Sequence, residues 1–248
     1  RHIIYPNNRH YALLSGFCFN SKNLYNFANY HVRQAFLKDG SFLSANKLDK
    51  MLKLEGQDKD YRCMPTAQSA QKCLQLLEKN WKSFFSVIKD WAKNREKYAG
   101  KPNLPKYLKK DGRYVVTLPS PSCKVTDEGM IRFPRVFQGF TIKTRIKSKV
   151  QQVRILPRCK HLIIEVVHRV EVPEKKQDNQ RMLGIDLGLD NFATITNNVG
   201  VKPIVINGKG LKSYNKHYNK KLAHYKKVAK QMNGLCWTNR LNKLTMAR

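Results

Sequence analysis

The residue of this chain best suited to bind a catalytic metal ion is Asp186, a carboxylate that ends a short apolar run. The run at 183–186 predicts a strand, and Gly188 interrupts it before a second strand-like run at 192–196 and a third at 201–206. We expect Asp186 to end a buried strand of this sheet. Rigid backbone on both sides would then fix its oxygen atoms where a divalent metal ion needs them.

Three interpretations of the run around Asp186 fit its residue types. Ribonuclease-H-like nucleases place their first metal-binding carboxylate at the end of a buried strand, next to a hairpin of the same sheet. A Gly-Ile-Asp-Leu-Gly run also suits the nucleotide-binding strand of actin-like ATPases, and a structural Asp can cap a turn. The local pattern leaves all three open, so the choice depends on the rest of the chain.

The charge of the chain indicates a polyanionic partner. It has 48 Lys and Arg residues against 17 Asp and Glu, a formal net charge of +31, and such self-repulsion disfavours a compact chain unless a polyanion neutralises it. The hydrophobic fraction of 41% predicts real cores rather than a disordered basic tail. Cationic residues concentrate at 93–113, 143–160 and 191–248, which suggests a long or folded polyanion rather than one small phosphate ligand.

Several other classes of protein are disfavoured. The six cysteines are scattered without a Cys-x-x-Cys pair, so we expect reduced, buried thiols rather than a zinc site or a disulfide framework in this chain. No run of about 18 apolar residues predicts a transmembrane helix, and no signal peptide is visible, so we expect a cytoplasmic protein, nucleoid-associated when bound, with no membrane partner. The chain starts within a strand-like run and stops within a helical one, and we expect it to be part of a longer protein.

The clearest helix is predicted from Thr66 to Lys93, after a shorter one from Asn20 to Leu37. Apolar residues recur at steps of three and four along its length, which predicts a single buried stripe. Amide and ammonium side chains form a ridge on the opposite side: Gln68, Lys72, Gln75, Lys79 and Lys82, with Gln71 beside them. Such a ridge could read base edges and hold phosphates, or it could be the solvated face of an amphipathic helix.

Two further stretches predict contacts with a phosphate backbone. The segment 93–113 is basic and carries two prolines that keep it extended, so Lys101, Lys106, Lys109 and Lys110 are expected to grip phosphates. From Arg113 to about Val172 the period changes to two, which predicts several short strands of a small barrel or sandwich. Lys143, Arg145 and Lys147 alternate there with apolar residues, and a strand face so basic would repel itself unless it lay against phosphates.

The polar segment 171–180 is the expected domain boundary. Beyond the Asp186 sheet, a helix is predicted from Leu211 to Lys230. Its tyrosines recur at helical spacing, which favours core packing over stacking on bases.

Together these stretches resemble TnpB, the transposon-encoded RNA-guided nuclease family of the OrfB type, which is related to type V CRISPR effectors. The resemblance is carried by the segments 184–194, 206–213 and 218–223, and upstream by the helical segment 71–85 and the basic loop 100–106. These segments follow the family's order and span almost the whole chain.

The resemblance implies an α+β multidomain fold. It consists of a wedge-type β-barrel with an inserted helical recognition domain, followed by the N-terminal part of a RuvC domain of the RNase H-like α/β class. By this mapping residues 1–20 and 111–175 form the barrel, 21–110 the helical domain, and 181–248 the first RuvC segment.

The resemblance also implies the activity, an RNA-guided DNA endonuclease of an insertion sequence. Its partners would be a structured guide RNA and target double-stranded DNA, and RuvC would hydrolyse both strands with Mg²⁺, with Asp186 as the first catalytic and metal-binding carboxylate. Zinc is expected only further along than residue 248. The implied nucleic-acid contacts are Gln68, Gln71, Lys72, Gln75, Lys79, Lys101, Lys106, Lys109, Lys110, Lys143, Arg145, Lys147, Lys209 and Lys212.

The chain departs from the family pattern in its carboxylates. The family's second and third catalytic carboxylates lie further along than residue 248, and no Asp or Glu follows Asp190. As written, the chain cannot assemble a two-metal site. The alternative to the nuclease is therefore a nuclease-inactive RNA-guided DNA-binding repressor from the same family, and a third hypothesis is a generic basic RNA-binding protein. The sequence leaves the oligomeric state open.

Overall fold

Helices and antiparallel strands share the chain in the computed structural model, which confirms the predicted α+β class. The structure describes residues 1–54, 59–146, 148–159, 161–172, 178–234 and 238–246. The chain divides into two units, Arg1–Val170 and Glu171–Arg248. The finer division into barrel, helical and RuvC domains stays a prediction.

The first unit contains four helices: α1 (Tyr11–Asp39), α2 (Ala45–Leu54), α3 (Lys59–Arg62) and α4 (Ala67–Lys93). Helix α1 begins nine residues before the predicted Asn20, and it ends where Gly40 adopts a left-handed φ of 74°. Helix α4 begins almost where predicted, because Thr66 forms a capping box with Ser69. The Thr66 Oγ1 atom accepts a hydrogen bond from the Ser69 amide at 3.0 Å.

The helical core lies between α1 and α4, and the predicted stripe of α4 is buried there. Trp81 is fully buried, and its ring packs 5.5 Å from that of Phe36 and 5.7 Å from that of Phe85. The Trp81 indole N–H donates to Asn29 Oδ1 at 2.9 Å, which satisfies the one polar group of this side chain.

The strands of the first unit form two antiparallel sheets. The larger has the order β1-β7-β6-β2 and the smaller the order β3-β4-β5. Their bounds are β1 (His2–Ile4), β2 (Val116–Pro119), β3 (Lys124–Val125), β4 (Met130–Arg132), β5 (Thr141–Lys143), β6 (Val150–Arg158) and β7 (His161–His168). Helix α4 packs on β2, so the helices and the larger sheet share one core.

The predicted wedge barrel is not observed as a closed barrel in the described residues of this unit. The larger sheet ends at β1 and β2, and β3, β4 and β5 pair with one another. Closure requires continuous hydrogen bonding around the sheet with a matched stagger, and the strands of the smaller sheet are only two or three residues long. The predicted strand at 142–147 accordingly pairs only over Thr141–Lys143.

The second unit contains a three-stranded antiparallel sheet and two helices. The strands β8 (Leu183–Asp186), β9 (Asn191–Asn197) and β10 (Ile204–Asn207) have the order β10-β9-β8. Helices α5 (Lys209–Asn233) and α6 (Asn239–Met246) follow and pack on each other, with Tyr218, Ala229 and Leu241 buried. The preference for core packing is therefore confirmed for Tyr218, whereas Tyr214 is exposed.

Candidate nucleic-acid interface and metal-binding carboxylate

Asp186 ends the strand β8, at the edge of the three-stranded sheet. It pairs with Thr194 of β9, and Gly184 pairs with Thr196, so these residues share one face of the sheet. The opposite face is apolar because Leu183, Ile185, Ile195, Ile204 and Ile206 alternate onto it.

The prediction of a buried strand for Asp186 is wrong in the described structure. Every residue of β8 is exposed, including Ile185 at 56% and Leu183 at 63%. A three-stranded sheet buries its apolar face only when a second layer packs on it. The described residues leave this face open, so Asp186 lies at an accessible edge.

The loop after β8 is tied to the start of α5. Lys212 Nζ lies 2.7 Å from Asp190 Oδ1, and this ammonium group lowers the pKa of the Asp190 carboxyl. Gly208 allows the close approach of the two segments, because a Cβ atom there would lie 3.2 Å from the Asp190 carbonyl oxygen. Of the two cations predicted here, Lys212 therefore has a protein partner, while Lys209 is exposed.

The described residues do not supply the ligands of a two-metal site. Among residues 1–246 outside the gaps, no three His, Cys, Asp or Glu side chains cluster as metal ligands would. Asp186 offers one carboxylate, and Asp190 Oδ1 is engaged by Lys212. A catalytic magnesium pair needs several oxygen ligands held together, so other oxygen ligands would have to join Asp186 to hold it.

The polar ridge of α4 is partly occupied by contacts within the protein. Gln68 Oε1 accepts from Ser122 Oγ at 3.0 Å, and Gln71 Nε2 donates to Asp49 Oδ2 at 3.2 Å. Lys72 Nζ donates to Gln75 Oε1 at 2.9 Å. The predicted ridge therefore combines structural contacts with exposed side chains, among them Gln75 and Lys79.

A groove that the sequence patterns did not predict lies between α4 and the larger sheet. Its volume is about 330 Å³, and both elements contribute polar side chains: Lys72, Gln75, Lys79, Thr117, Gln152 and Arg154. Arg154 is held in place by Glu165, whose Oε2 lies 2.7 Å from Nη2. The alternation along β6 places Gln152 and Arg154 on the same face of the strand. Only the packing of α4 on β2 brings these two side chains close to the ridge.

The basic segment, residues 101–110, is extended and held against α1. Asn26 makes two hydrogen bonds to Leu108, accepting from its amide at 2.7 Å and donating to its carbonyl at 2.9 Å. The four lysines predicted to grip phosphates are all exposed: Lys101, Lys106, Lys109 and Lys110. The backbone of the segment is therefore fixed while its cations face solvent.

The basic strand face is observed over the residues that the structure describes. Ile142 is buried, whereas Lys143 and Arg145, which follow it at alternate positions, are exposed. Lys147 lies outside the described residues.

The thiols of the described residues divide into two groups, and Cys236 lies outside those residues. Burial raises the pKa of Cys18, Cys73 and Cys123 to about 12, which keeps them protonated. Cys63 and Cys159 are exposed, so the expectation of buried thiols is correct for only part of the set.

No described helix combines the length and the apolar character needed to cross a bilayer.

The family-model match covers the second unit and the six residues before it. Residues 165–248 match the OrfB_IS605 family model, described as a probable transposase, and no curated protein matches the chain. A cryo-EM structure of a CRISPR-Cas12f ternary complex aligns with a TM-score of 0.37 at 12% identity, covering 94% of this chain and 54% of that one. A Cas12f1-sgRNA-target DNA complex aligns with a TM-score of 0.32 at 13% identity, covering 99% and 63%.

This chain thus spans little more than half of the longer chains to which it is similar. The match to the family model includes Asp186, the sheet around it and helix α5. It confirms the resemblance to TnpB, since residues 165–248 match the OrfB_IS605 model of probable transposases.

Proposed function

We propose that the chain is the recognition part, with the first RuvC segment, of an RNA-guided DNA endonuclease of the TnpB type. The observation that carries the proposal is the family match over residues 165–248, which includes Asp186. The net charge of +31 supports it, because a polyanionic partner would neutralise the chain. A guide RNA and target double-stranded DNA would be those partners, and the protein would act in the cytoplasm, at the nucleoid.

Three described surfaces would contact nucleic acid in this proposal. They are the groove beside α4, the basic segment on α1, and the strand face around Lys143. Exposed cations on ordered backbone bind phosphates without the entropic cost of first ordering a loop. Lys209 would add a contact at the start of α5.

Asp186 would be the first carboxylate of the magnesium site. Its exposure at a sheet edge leaves room for further ligands beside it, while the described residues supply this one alone. The second candidate function is a nuclease-inactive RNA-guided DNA-binding repressor of the same family. The two candidates share every nucleic-acid surface and differ in cleavage.

The experiment is to express the full-length gene with its native flanking DNA and to sequence the RNA that copurifies. One discrete transcript with a constant scaffold is expected, and it supplies the guide for cleavage assays in Mg²⁺. A smear of cellular RNA would contradict the guided mechanism and favour a generic RNA-binding protein.

The substitution Asp186→Ala then tests the site. It should abolish Mg²⁺-dependent cleavage and leave guide-directed DNA binding intact. Asp178→Ala is the matched control, because Asp178 is another exposed carboxylate of the same unit and makes a local contact with the Gln180 amide. Binding without cleavage in the unsubstituted protein would identify the repressor, and cleavage by the Asp186→Ala protein would exclude Asp186 from the active site.

A further inference from the structure

A row of polar side chains on α1 fixes the course of the basic segment. Their hydrogen-bond donors all reach main-chain carbonyl oxygens, and they recur at steps of three and four along one side of the helix. The pairs are Lys22 Nζ with Lys110 O at 2.7 Å, Asn26 Nδ2 with Leu108 O at 2.9 Å, Asn29 Nδ2 with Pro105 O at 3.1 Å, and Arg33 Nη1 with Pro105 O at 2.9 Å. These contacts replace the sheet or helix bonds that the segment lacks.

The row explains why the lysines of the segment point away from the protein. Lys22 is itself only 4% exposed, and its ammonium group lies between the Lys110 carbonyl and the Phe19 ring, 4.1 Å from the ring centroid. Since α1 occupies the inner side of the segment, Lys106, Lys109 and Lys110 extend into solvent. They form a short cationic track on rigid backbone.

Exposed aromatic rings of α1 lie beside this row, on the neighbouring side of the helix. Phe27 and Tyr30 are 38% and 49% exposed, and each makes an edge contact with His31, at 4.7 and 5.6 Å between ring centroids. Tyr107 of the basic segment is 46% exposed, and the Arg33 guanidinium lies 5.1 Å from the centroid of its ring. Tyr30 and Arg33 are neighbours on the helix surface, so the rings and the track adjoin.

We propose that this surface, defined by Phe27, Tyr30 and Tyr107 with Lys106, Lys109 and Lys110 and called here the α1 strip, binds an unpaired stretch of RNA. Bases would stack on the rings while phosphates meet the lysines, as on single-strand binding platforms. The inference rests on the proposed function, in which the guide RNA is the partner that stays bound throughout.

The charge of the α1 strip and its exposed rings together favour an unpaired nucleic-acid strand over a protein or a duplex. A protein partner that covered the rings would also have to cover three lysines, and in a chain of net charge +31 a second copy would bring further cations against them. A duplex would satisfy the lysines but would leave the rings unused, because the faces of paired bases are already stacked. An unpaired strand satisfies both groups.

The test measures the affinity of the full-length protein, freed of copurified RNA, for a labelled oligouridine of about ten nucleotides. Replacing both Tyr30 and Tyr107 with Leu should weaken binding about tenfold or more, with an unchanged slope of log K against log salt. Replacing both with Phe should preserve binding, because the rings remain. Tyr5→Leu is the matched control, since Tyr5 is 48% exposed but precedes α1.

The lysines give the complementary signature. Lys106→Gln with Lys109→Gln should reduce the salt slope by about 0.7 for each phosphate that is no longer neutralised. An unchanged affinity in the Tyr30→Leu, Tyr107→Leu protein would overturn the proposal, and so would an equal reduction of affinity for duplex DNA. An equal reduction for oligothymidine would agree with the proposal, because stacking and phosphate contacts do not read the 2′-hydroxyl and the assignment to RNA rests on the proposed function. Dissociation of a dimer in light scattering, with RNA affinity intact, would assign the strip to a second copy instead.

Failure of the proposed function would look different. In that case the unsubstituted protein would carry no discrete RNA when purified, whatever the α1 strip did with oligouridine. A discrete guide together with unaltered oligouridine binding by the variants would reject the α1 strip alone.

Discussion

The Nζ atom of Lys212 lies 2.7 Å from Oδ1 of Asp190, and the pair joins the loop after the Asp186 strand to the first turn of α5. Both groups are at the surface, so the contribution of the pair to stability is small. The pair instead holds two segments in place, because it links the loop after the Asp186 strand to the helix that follows the sheet. The pair also engages Asp190, which is the next acidic residue along the chain after Asp186.

This ion pair predicts a titration shift. Lys212→Met should raise the pKa of Asp190 towards its ordinary value, because the hydrogen bond and the charge of Lys212 lower that pKa in the folded protein. NMR titration of the Asp190 carboxyl measures the change. Lys209→Met is the control, since it removes a cation one turn away without touching the pair. A pKa that does not respond to Lys212→Met would show that the pair does not form in solution.

A second prediction concerns Asp49, which joins the three helices α2, α3 and α4. It accepts from Lys53 at 2.6 Å, from Gln71 at 3.2 Å and from the Tyr61 hydroxyl. Asp49→Ala should lower the free energy of unfolding by about 1–3 kcal/mol, because it leaves the Tyr61 and Gln71 donors without this acceptor. Lys53→Ala, which removes only the exposed partner, should cost about 0.2–1 kcal/mol. Urea denaturation measures both.

The same residue makes stability depend on pH. Partial burial acts to raise the pKa of Asp49, but the hydrogen bonds from Lys53, Tyr61 and Gln71 outweigh it and lower the pKa. A lowered folded-state pKa contributes stability that is complete above the unfolded-state value, about 3.9. That contribution is lost as pH falls through the lower folded-state pKa. Asp49→Asn should therefore flatten the decline of stability in acid, and an identical acid profile would contradict the network.

A third prediction couples the helical core to the basic segment through Asn29. Its Oδ1 accepts from the Trp81 indole at 2.9 Å, and its Nδ2 donates to the Pro105 carbonyl at 3.1 Å. Asn29→Ala should destabilise the fold by about 1–3 kcal/mol, because the buried indole N–H loses its partner. It should also loosen the segment around Lys106, which proteolysis by trypsin would detect. Ser83→Ala, at an exposed site of α4, is the control.

A fourth prediction addresses the strand face around Lys143. Lys143→Gln with Arg145→Gln should weaken binding of the copurified RNA and reduce the slope of log K against log salt, because fewer phosphates are neutralised and fewer counterions are released. Lys124→Gln is the matched control, since Lys124 is an exposed cation on β3 of the same sheet. Unchanged affinity and slope would mean that this face meets solvent rather than RNA.

Local residue patterns were enough to predict several of the helices and strands. The apolar stripe of α4 predicted that helix to within one residue, and period-two alternation predicted strands in the region of β6 and β7. The run around Asp186 predicted a strand that ends in a carboxylate. These features succeed because backbone periodicity and capping depend on residues only a few positions apart.

The tertiary structure decided which polar side chains are available. Gln68 and Gln71 belong to the same ridge as Gln75, yet Ser122 and Asp49 engage them across 54 and 22 residues of chain. Likewise the polar residues of α1 meet carbonyl oxygens 72 to 88 residues away. The open sheets and the exposed β8 strand also depend on which layers pack together. Such contacts depend on the packing of distant elements, which local patterns do not encode.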